Sequence, residues 1–140
     1  MTEIGSTAGR AAGPLWSMTV DVWARDVDYL GHLTAVAYPV VYEEAFYRFL
    51  APRWGHSEPS FVNAELAVRY LHEVVLDASP ITVSLRIEHV GTSSFRTAAS
   101  ITDALGTLCS TASTRYVAWD RAARRSRRLT DRERRALLEP

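Results

Sequence analysis

The stretch Asp28-Tyr29-Leu30-Gly31-His32-Leu33 separates two segments with different hydrophobic periods. Before it, Trp16 to Arg25 alternates apolar and polar residues, which predicts a β-strand. After it, Thr34 to Pro52 repeats apolar residues at helical spacing, which predicts a long and well buried helix. An aspartate and a glycine between a strand and a helix indicate a tight turn. The stretch therefore predicts a carboxylate beside the unpaired backbone amides of a helix N-terminus.

The boundaries of this helix are marked by specific residues. Thr34 is a candidate N-terminal cap. Because a proline beyond the first turn removes a hydrogen bond, Pro39 favours a regular helix that begins near Tyr38 or is distorted there. Pro52 and Gly55 are expected to end the helix.

The rest of the chain predicts extended structure followed by a short terminal helix over Thr130–Leu138. Strands are predicted over Phe61–Val75, Ile81–Glu88, Phe95–Thr102 and Leu108–Trp119, with a tight hairpin turn at Asp103-Ala104-Leu105-Gly106. The order is strand, long helix, then four consecutive strands. This order favours an α+β fold in which a helix packs across one face of an antiparallel sheet.

Composition limits the classes of protein that fit. The 140 residues, 47% of them hydrophobic, suit one globular domain, predicted over residues 15–140 after a flexible tail over residues 1–14. The formal net charge is zero, which argues against nucleic acid as a partner. Residues 1–14 do not read as a secretory signal, and no apolar run reaches the roughly 20 residues of a membrane span. The single cysteine, Cys109, fits a reducing cytoplasm.

The spacing around Asp28 resembles that of hotdog-fold acyl-CoA thioesterases, and within them the 4-hydroxybenzoyl-CoA thioesterase-like family. The positions that carry the resemblance are Asp28, Gly31, Leu33, Tyr38 and Glu43. Three later segments strengthen it: Val90-Gly91-Thr92-Ser93-Ser94, Asp103–Gly106 and Val117-Ala118-Trp119-Asp120. The resemblance implies a five-stranded antiparallel sheet wrapped around one long central helix, with a short C-terminal helix. It also implies a homodimer or homotetramer whose sites lie between subunits.

The resemblance further implies hydrolysis of an acyl thioester of coenzyme A or of an acyl carrier protein, without metal or cofactor. Asp28 would act as nucleophile or as general base, and backbone amides near Ala35 would hold the oxyanion. Glu43 would orient the loop or assist. Without the resemblance, Asp28 also fits a turn aspartate that binds its own loop. Asp26, two residues too early for the pattern, is expected to be solvated.

The substrate-binding candidates each have a plainer structural interpretation. Gly31 allows a tight turn and close approach of substrate, His32 can bind substrate or hold the loop, and Tyr38 can line the acyl pocket or belong to the core. Ser93 and Ser94 can support substrate or simply form their turn. The segment Arg121–Arg128 can meet the phosphates of coenzyme A or be a solvated connector.

Two alternatives and one departure remain open. A non-catalytic module that binds acyl thioesters would keep the pocket without needing Asp28. A hotdog dehydratase would need a histidine paired with an acid in a different motif, which the sequence does not show. Phe46 stands where the family often has arginine, which puts an ion pair around Glu43 in doubt. The four histidines show no metal-ligand spacing, and Cys109 is expected to be a buried structural thiol.

Overall fold

The computed structural model describes residues 12–55 and 59–140. The elements in chain order are β1 (Trp16–Val20), α1 (Ala37–Trp54), β2 (Phe61–Tyr70), β3 (Ile81–Val90), β4 (Ser94–Thr102), β5 (Leu108–Asp120), β6 (Arg125–Ser126) and α2 (Asp131–Leu138). Two short 3₁₀ turns lie at Ala24–Asp26 and Leu76–Ala78. Among the described residues, none of the helices has both the length and the hydropathy to cross a membrane.

The strands form one antiparallel sheet in the order β1-β3-β4-β5-β2, and the two-residue β6 pairs with the end of β5. The long strands β3, β4 and β5 follow one another along the chain and pair as neighbours. The sheet curls around α1, and α2 follows at the C-terminus. This architecture confirms the predicted α+β fold of five strands, one long helix and a short terminal helix.

The core lies between α1 and the inner face of the sheet. β3 alternates as predicted, because Ile81, Val83, Leu85 and Ile87 are buried and the residues between them are more exposed. On α1, the side chain of Phe46 is buried and stacks on Tyr116 of β5 with ring centroids 4.2 Å apart. Burial of one such ring is worth about 1.5–3 kcal/mol, so this helix–sheet contact stabilises the packing of α1 on the sheet.

Several predicted boundaries were wrong. β1 ends at Val20 rather than at Arg25, since the chain leaves the sheet and turns at Ala24–Asp26. β2 ends at Tyr70 rather than near Val75. At the start of α1, the side chain of Thr34 does not cap the helix, whose N-cap residue is Val36.

The prolines explain the ends of α1. Since the helix begins at Ala37, Pro39 falls in the first turn, where its missing N–H costs no helical hydrogen bond. This matches the alternative of a regular helix that begins near Tyr38. Pro52 does not stop the helix at once, because α1 continues to Trp54 and gives way at Gly55, which has φ of 78°.

The predicted tail falls almost entirely on residues 1–11, which lie outside the described residues. At its C-terminal end, Gly13 is buried and donates a backbone hydrogen bond of 2.8 Å to Ile87 on β3. The described chain is thus tied to the sheet before β1 begins.

At the other end of the chain, Thr130 and Glu133 form a reciprocal capping box that begins α2.

Candidate active site

Asp28 forms a tight turn through hydrogen bonds of both its backbone and its carboxylate. Its carbonyl accepts a hydrogen bond of 3.0 Å from the Gly31 N–H, and its N–H donates to the His32 carbonyl at 2.9 Å. The carboxylate Oδ1 accepts from the Leu30 N–H at 2.9 Å. Gly31 has φ of 85°, a left-handed conformation that glycine adopts without strain. Asp28 therefore is a turn aspartate, and Oδ2 has no hydrogen-bond donor among the described residues.

The turn is fixed against the segment that follows β2. The Leu33 N–H donates to the Val74 carbonyl at 2.7 Å, and His32 forms an isolated β-bridge with Val75. Across the base of the loop, the Thr34 N–H donates to the backbone carbonyl of Asp26 at 2.8 Å. These contacts hold the Asp28 loop between the start of α1 and the end of β2.

A cavity of about 390 Å³ lies at this junction. Its walls combine the Asp28 loop, the approach to α1 and the chain around the end of β2. They are formed by Asp28, His32, Leu33, Ala35, Tyr38, Tyr70, Leu71, His72 and Glu73. The structure thus brings together four of the predicted site residues: the carboxylate, the histidine, the alanine and the tyrosine.

Ala35 lies two residues before α1 and is one of the residues that line this cavity. Its carbonyl accepts a hydrogen bond of 2.9 Å from the Tyr70 hydroxyl and a longer one from the Tyr38 N–H. Its own N–H has no acceptor among the described residues. A free amide at the positive end of a helix dipole is suited to stabilise a developing negative charge.

The two tyrosines form one wall of the cavity. Their rings meet edge to face, with centroids 4.8 Å apart. Tyr38 is buried, and this burial, with smaller contributions from Cys109 and Tyr70, raises its pKa to about 12. Because it stays protonated at neutral pH, Tyr38 gives the cavity a neutral, largely apolar surface.

The residues from Tyr70 to Glu73 were not predicted as part of the site. The sequence pattern includes Tyr70 only as part of a strand, and it predicts that the three residues after it continue that strand. β2 instead ends at Tyr70, so the chain turns and the following residues line the cavity. A polar His72-Glu73 pair directly after an alternating strand was the one signal in the sequence.

Glu43 lies elsewhere, on the exposed side of α1. Together with Val40 and Tyr47 it lines a shallow depression that does not include Asp28. The pKa of Tyr116 is raised mainly by burial of its own side chain, and the charge of Glu43 makes a smaller contribution in the same direction. The family's arginine position is Phe46, which is buried in the core, and no partner of opposite charge for Glu43 is found among the described residues.

Ser93 and Ser94 lie at the opposite end of the sheet from the cavity. The Ser93 carbonyl accepts from the Ala118 N–H, and the Ser94 carbonyl accepts from the Gly91 N–H. From Ser94 along β4 to Asp103, near the cavity end, an extended chain covers about 30 Å. The two serines therefore cannot reach the Asp28 cavity of the same chain.

The arginine segment has structural contacts of its own. Arg127 forms two hydrogen bonds of 2.8 Å with the carboxylate of Glu133 on α2. Arg121 donates to the Pro59 carbonyl, and Arg125 belongs to β6. None of these arginines lines the cavity.

The comparisons with known proteins agree with this fold. Residues 22–137 match the family model of the thioesterase-like superfamily. The chain belongs to this superfamily. No curated protein sequence matched the chain. The predicted resemblance to hotdog thioesterases is confirmed, and membership supports thioester hydrolysis as the general activity.

Several solved structures share this fold. A thioesterase from Thermus thermophilus, solved with coenzyme A and zinc, is 26% identical with a TM-score of 0.79, covering 89% of this chain and 98% of that one. A Staphylococcus aureus protein in complex with CoA is 18% identical with a TM-score of 0.74, covering 89% and 82%. A 1,4-dihydroxy-2-naphthoyl-CoA thioesterase from Synechocystis is 14% identical with a TM-score of 0.73, covering 89% and 96%. The last two similarities establish the fold.

Proposed function

We propose that this protein hydrolyses an acyl thioester, of coenzyme A or of an acyl carrier protein, to the free acid and the thiol. The observation that carries the proposal is that Asp28 and Ala35 line the same cavity at the start of α1. A thioester carbonyl bound there meets an anionic oxygen on one side and an amide donor on the other. This is the minimum that acyl transfer requires.

The chemistry follows two routes that use the same residues. In the first, Asp28 attacks the carbonyl carbon, the C–S bond breaks, and water then hydrolyses the resulting anhydride. In the second, Asp28 takes a proton from a water molecule that attacks the same carbon. In both, the Ala35 N–H stabilises the oxyanion, the thiolate leaves and takes up a proton, and Asp28 ends as a carboxylate.

Coenzyme A is the carrier with independent support. The Thermus thermophilus thioesterase, 26% identical, was solved with coenzyme A bound, and so was the Staphylococcus aureus protein. Acyl carrier protein remains the second carrier. The arginines of residues 121–128 are candidates for the carrier's phosphates only where a second chain brings them near the cavity. The cytoplasmic location stays a prediction from the single cysteine.

A homodimer, alone or within a tetramer, would complete the site. β2 is an edge strand, and among the described residues no strand pairs with its outer side. It exposes the apolar side chains of Val62, Leu66 and Tyr70. Twofold, antiparallel pairing of this edge with a second copy would place the end of the sheet that carries Ser93 and Ser94 beside the partner's cavity.

Light scattering of Leu66→Asp tests the dimer. Pairing of the two edges would remove the new carboxylate from water with no positive charge beside it, so the variant is expected to be a monomer. Leu105→Asp, at an exposed hairpin tip, is the matched control and is expected to stay dimeric. A wild-type chain that is monomeric at micromolar concentration contradicts the shared site.

Thiol release from a panel of acyl-CoA substrates tests the activity. Asp28→Asn is expected to lower kcat by at least about 100-fold, because it removes the general base or nucleophile. The amide Oδ1 still accepts from the Leu30 N–H, so the loop is preserved. Asp26→Asn, two residues upstream and outside the cavity lining, is the control and is expected to keep wild-type turnover.

Two results would decide against the proposal. Normal turnover of Asp28→Asn would remove Asp28 from its role. Tight binding of acyl-CoA by the wild type, without hydrolysis of any substrate on either carrier, would favour the non-catalytic binding module instead.

A further inference from the structure

Three potential metal ligands meet beside the cavity, although they come from separate parts of the chain. His72 follows β2, Asp103 opens the hairpin turn between β4 and β5, and Cys109 lies near the start of β5. One ligand atom from each lies within 4.8 Å of the others. Asp103 and Cys109 are buried, whereas His72 is exposed and lines the cavity.

The aspartate and the histidine are already held by their neighbours. Asp103 Oδ1 accepts hydrogen bonds of 2.9 and 3.0 Å from the N–H groups of Leu105 and Thr107, which leaves Oδ2 facing Cys109 Sγ at 3.7 Å. His72 Nδ1 lies 2.7 Å from the Glu73 carbonyl oxygen, which is itself 3.8 Å from Cys109 Sγ. Hydrogen bonds that orient ligand side chains in this way are characteristic of metal sites.

We propose that His72, Asp103 and Cys109 form a binding site for a divalent transition-metal ion, with Zn²⁺ as the best fit. Imidazole, carboxylate and thiolate are the three side-chain ligands of zinc in proteins. A thiolate among them selects against Mg²⁺ and Ca²⁺, which require oxygen ligands. The site is also electrically balanced, because one thiolate and one carboxylate neutralise the two charges of the ion.

The distances suit tetrahedral coordination after a small movement. Zinc bonds of about 2.0–2.3 Å place neighbouring ligand atoms roughly 3.3–3.5 Å apart. The oxygen–sulfur distance of 3.7 Å is close to this value. The remaining adjustment falls on the exposed His72, whose contact with the Glu73 carbonyl would shift as the ring moves toward the ion. The fourth position is left for water or for the Glu73 carbonyl.

The ion would fasten the end of β2 to the β4–β5 hairpin. These segments are adjacent, because the backbone N–H groups of Leu71 and His72 both donate to the Cys109 carbonyl. A metal there would hold the wall of the cavity in place. The proposal is independent of the proposed reaction, which uses Asp28 and needs no metal.

Titration of the untagged, metal-free protein with Co²⁺ and Zn²⁺ tests the site. We expect one Co²⁺ per chain, with a thiolate-to-cobalt charge-transfer band in the near ultraviolet, and displacement of Co²⁺ by Zn²⁺. Zinc is also expected to raise the midpoint of thermal unfolding. His72→Gln should weaken zinc binding by at least about 100-fold and abolish the zinc-dependent shift, since it removes a ligand.

The variants separate this site from other metal-binding positions. Cys109→Ser should abolish the charge-transfer band, and far-ultraviolet circular dichroism checks that its fold is kept. His89→Gln, on β3, is the matched histidine control and should bind as the wild type does. The proposal is overturned if zinc does not bind, if the cobalt spectrum lacks the sulfur band, or if His72→Gln binds normally. Each of these results leaves the test of thioester hydrolysis untouched.

Discussion

The chain contains two turns of the same sequence pattern, Asp28-Tyr29-Leu30-Gly31 and Asp103-Ala104-Leu105-Gly106. In each, the aspartate Oδ1 accepts from the N–H of the leucine at 2.9 Å. In each, the glycine N–H donates to the aspartate carbonyl at 3.0 Å. The glycine φ angles are 85° and 89°. The two turns are therefore locally equivalent, and their difference must come from what surrounds them.

The surroundings give the two aspartates different chemistry. Asp103 joins neighbouring strands of a hairpin, so its carboxylate is buried and receives a further N–H, from Thr107, and the Cys109 thiol. Asp28 joins a strand to a helix, and it lines an open cavity at the start of α1. An aspartate turn is thus a common local structure, and it becomes a candidate active site only where the fold adds a helix N-terminus and a cavity.

Exchange of each aspartate for asparagine is expected to give the largest contrast between the two turns. The loss of turnover predicted for Asp28→Asn, at least about 100-fold, should come with little change in the free energy of unfolding. Asp103→Asn should lower the midpoint of urea unfolding and change kcat by less than about twofold, because its carboxylate serves the hairpin. Thiol-release kinetics and urea denaturation of both variants, without added metal, check the contrast.

Equal effects of the two exchanges on turnover would contradict the separation of roles. The same holds if Asp103→Asn loses turnover while its unfolding is unchanged. Asp21→Asn, at an exposed position after β1, serves as the control for loss of one negative charge.

The sequence predicted the local features of both turns because those features depend on neighbouring residues alone. The Asp103 hairpin and the alternation of β3 were both confirmed. The prediction of Thr34 as the N-cap was wrong, because the backbone N–H of Thr34 bonds to the distant Asp26 carbonyl and the helix begins only after Val36, which the pattern does not encode.

The rest of the site could not be predicted because it depends on contacts between distant segments. Tyr70 reaches Ala35 across 35 positions of the chain, and it does so only because β2 packs beside the approach to α1. Likewise, spacing along the chain cannot show that His72 and Cys109 meet. Glu43 matched the family pattern, yet the pattern does not show that Glu43 lines a depression separate from Asp28.

Replacement of each glycine by alanine is expected to give a smaller contrast between the two turns in stability and in kcat/KM. Gly31→Ala and Gly106→Ala should each destabilise the protein by about 1–2 kcal/mol, because a Cβ is strained at positive φ. Apart from the adjacent residues of the chain, neither added methyl group would meet another atom within 4 Å, so the two losses should be similar. Only Gly31→Ala should also lower kcat/KM, since strain there shifts the Asp28 carboxylate. Urea denaturation and thiol-release kinetics check both variants, and equal effects on kcat/KM would contradict this account.

The smallest expected effect is a change in the unfolding free energy with pH in acid solution, and it arises from the Asp103 turn. The Thr107 N–H, with smaller help from Leu105 and Cys109, holds the pKa of Asp103 below its ordinary value of 3.8. A carboxyl whose pKa is lower in the folded than in the unfolded state stabilises the fold above pH 3.8, and this contribution is lost as pH falls through the folded pKa.

The side chain of asparagine does not titrate in this range. The difference in unfolding free energy between wild type and Asp103→Asn should therefore be constant near neutral pH and shrink as the solution is made more acidic than pH 3.8. Urea denaturation at a series of pH values, with a chelator present, measures this difference. A gap that stays constant into the acid range would show that the hydrogen bonds of Asp103 do not favour its charged form, and would contradict this difference between the two turns.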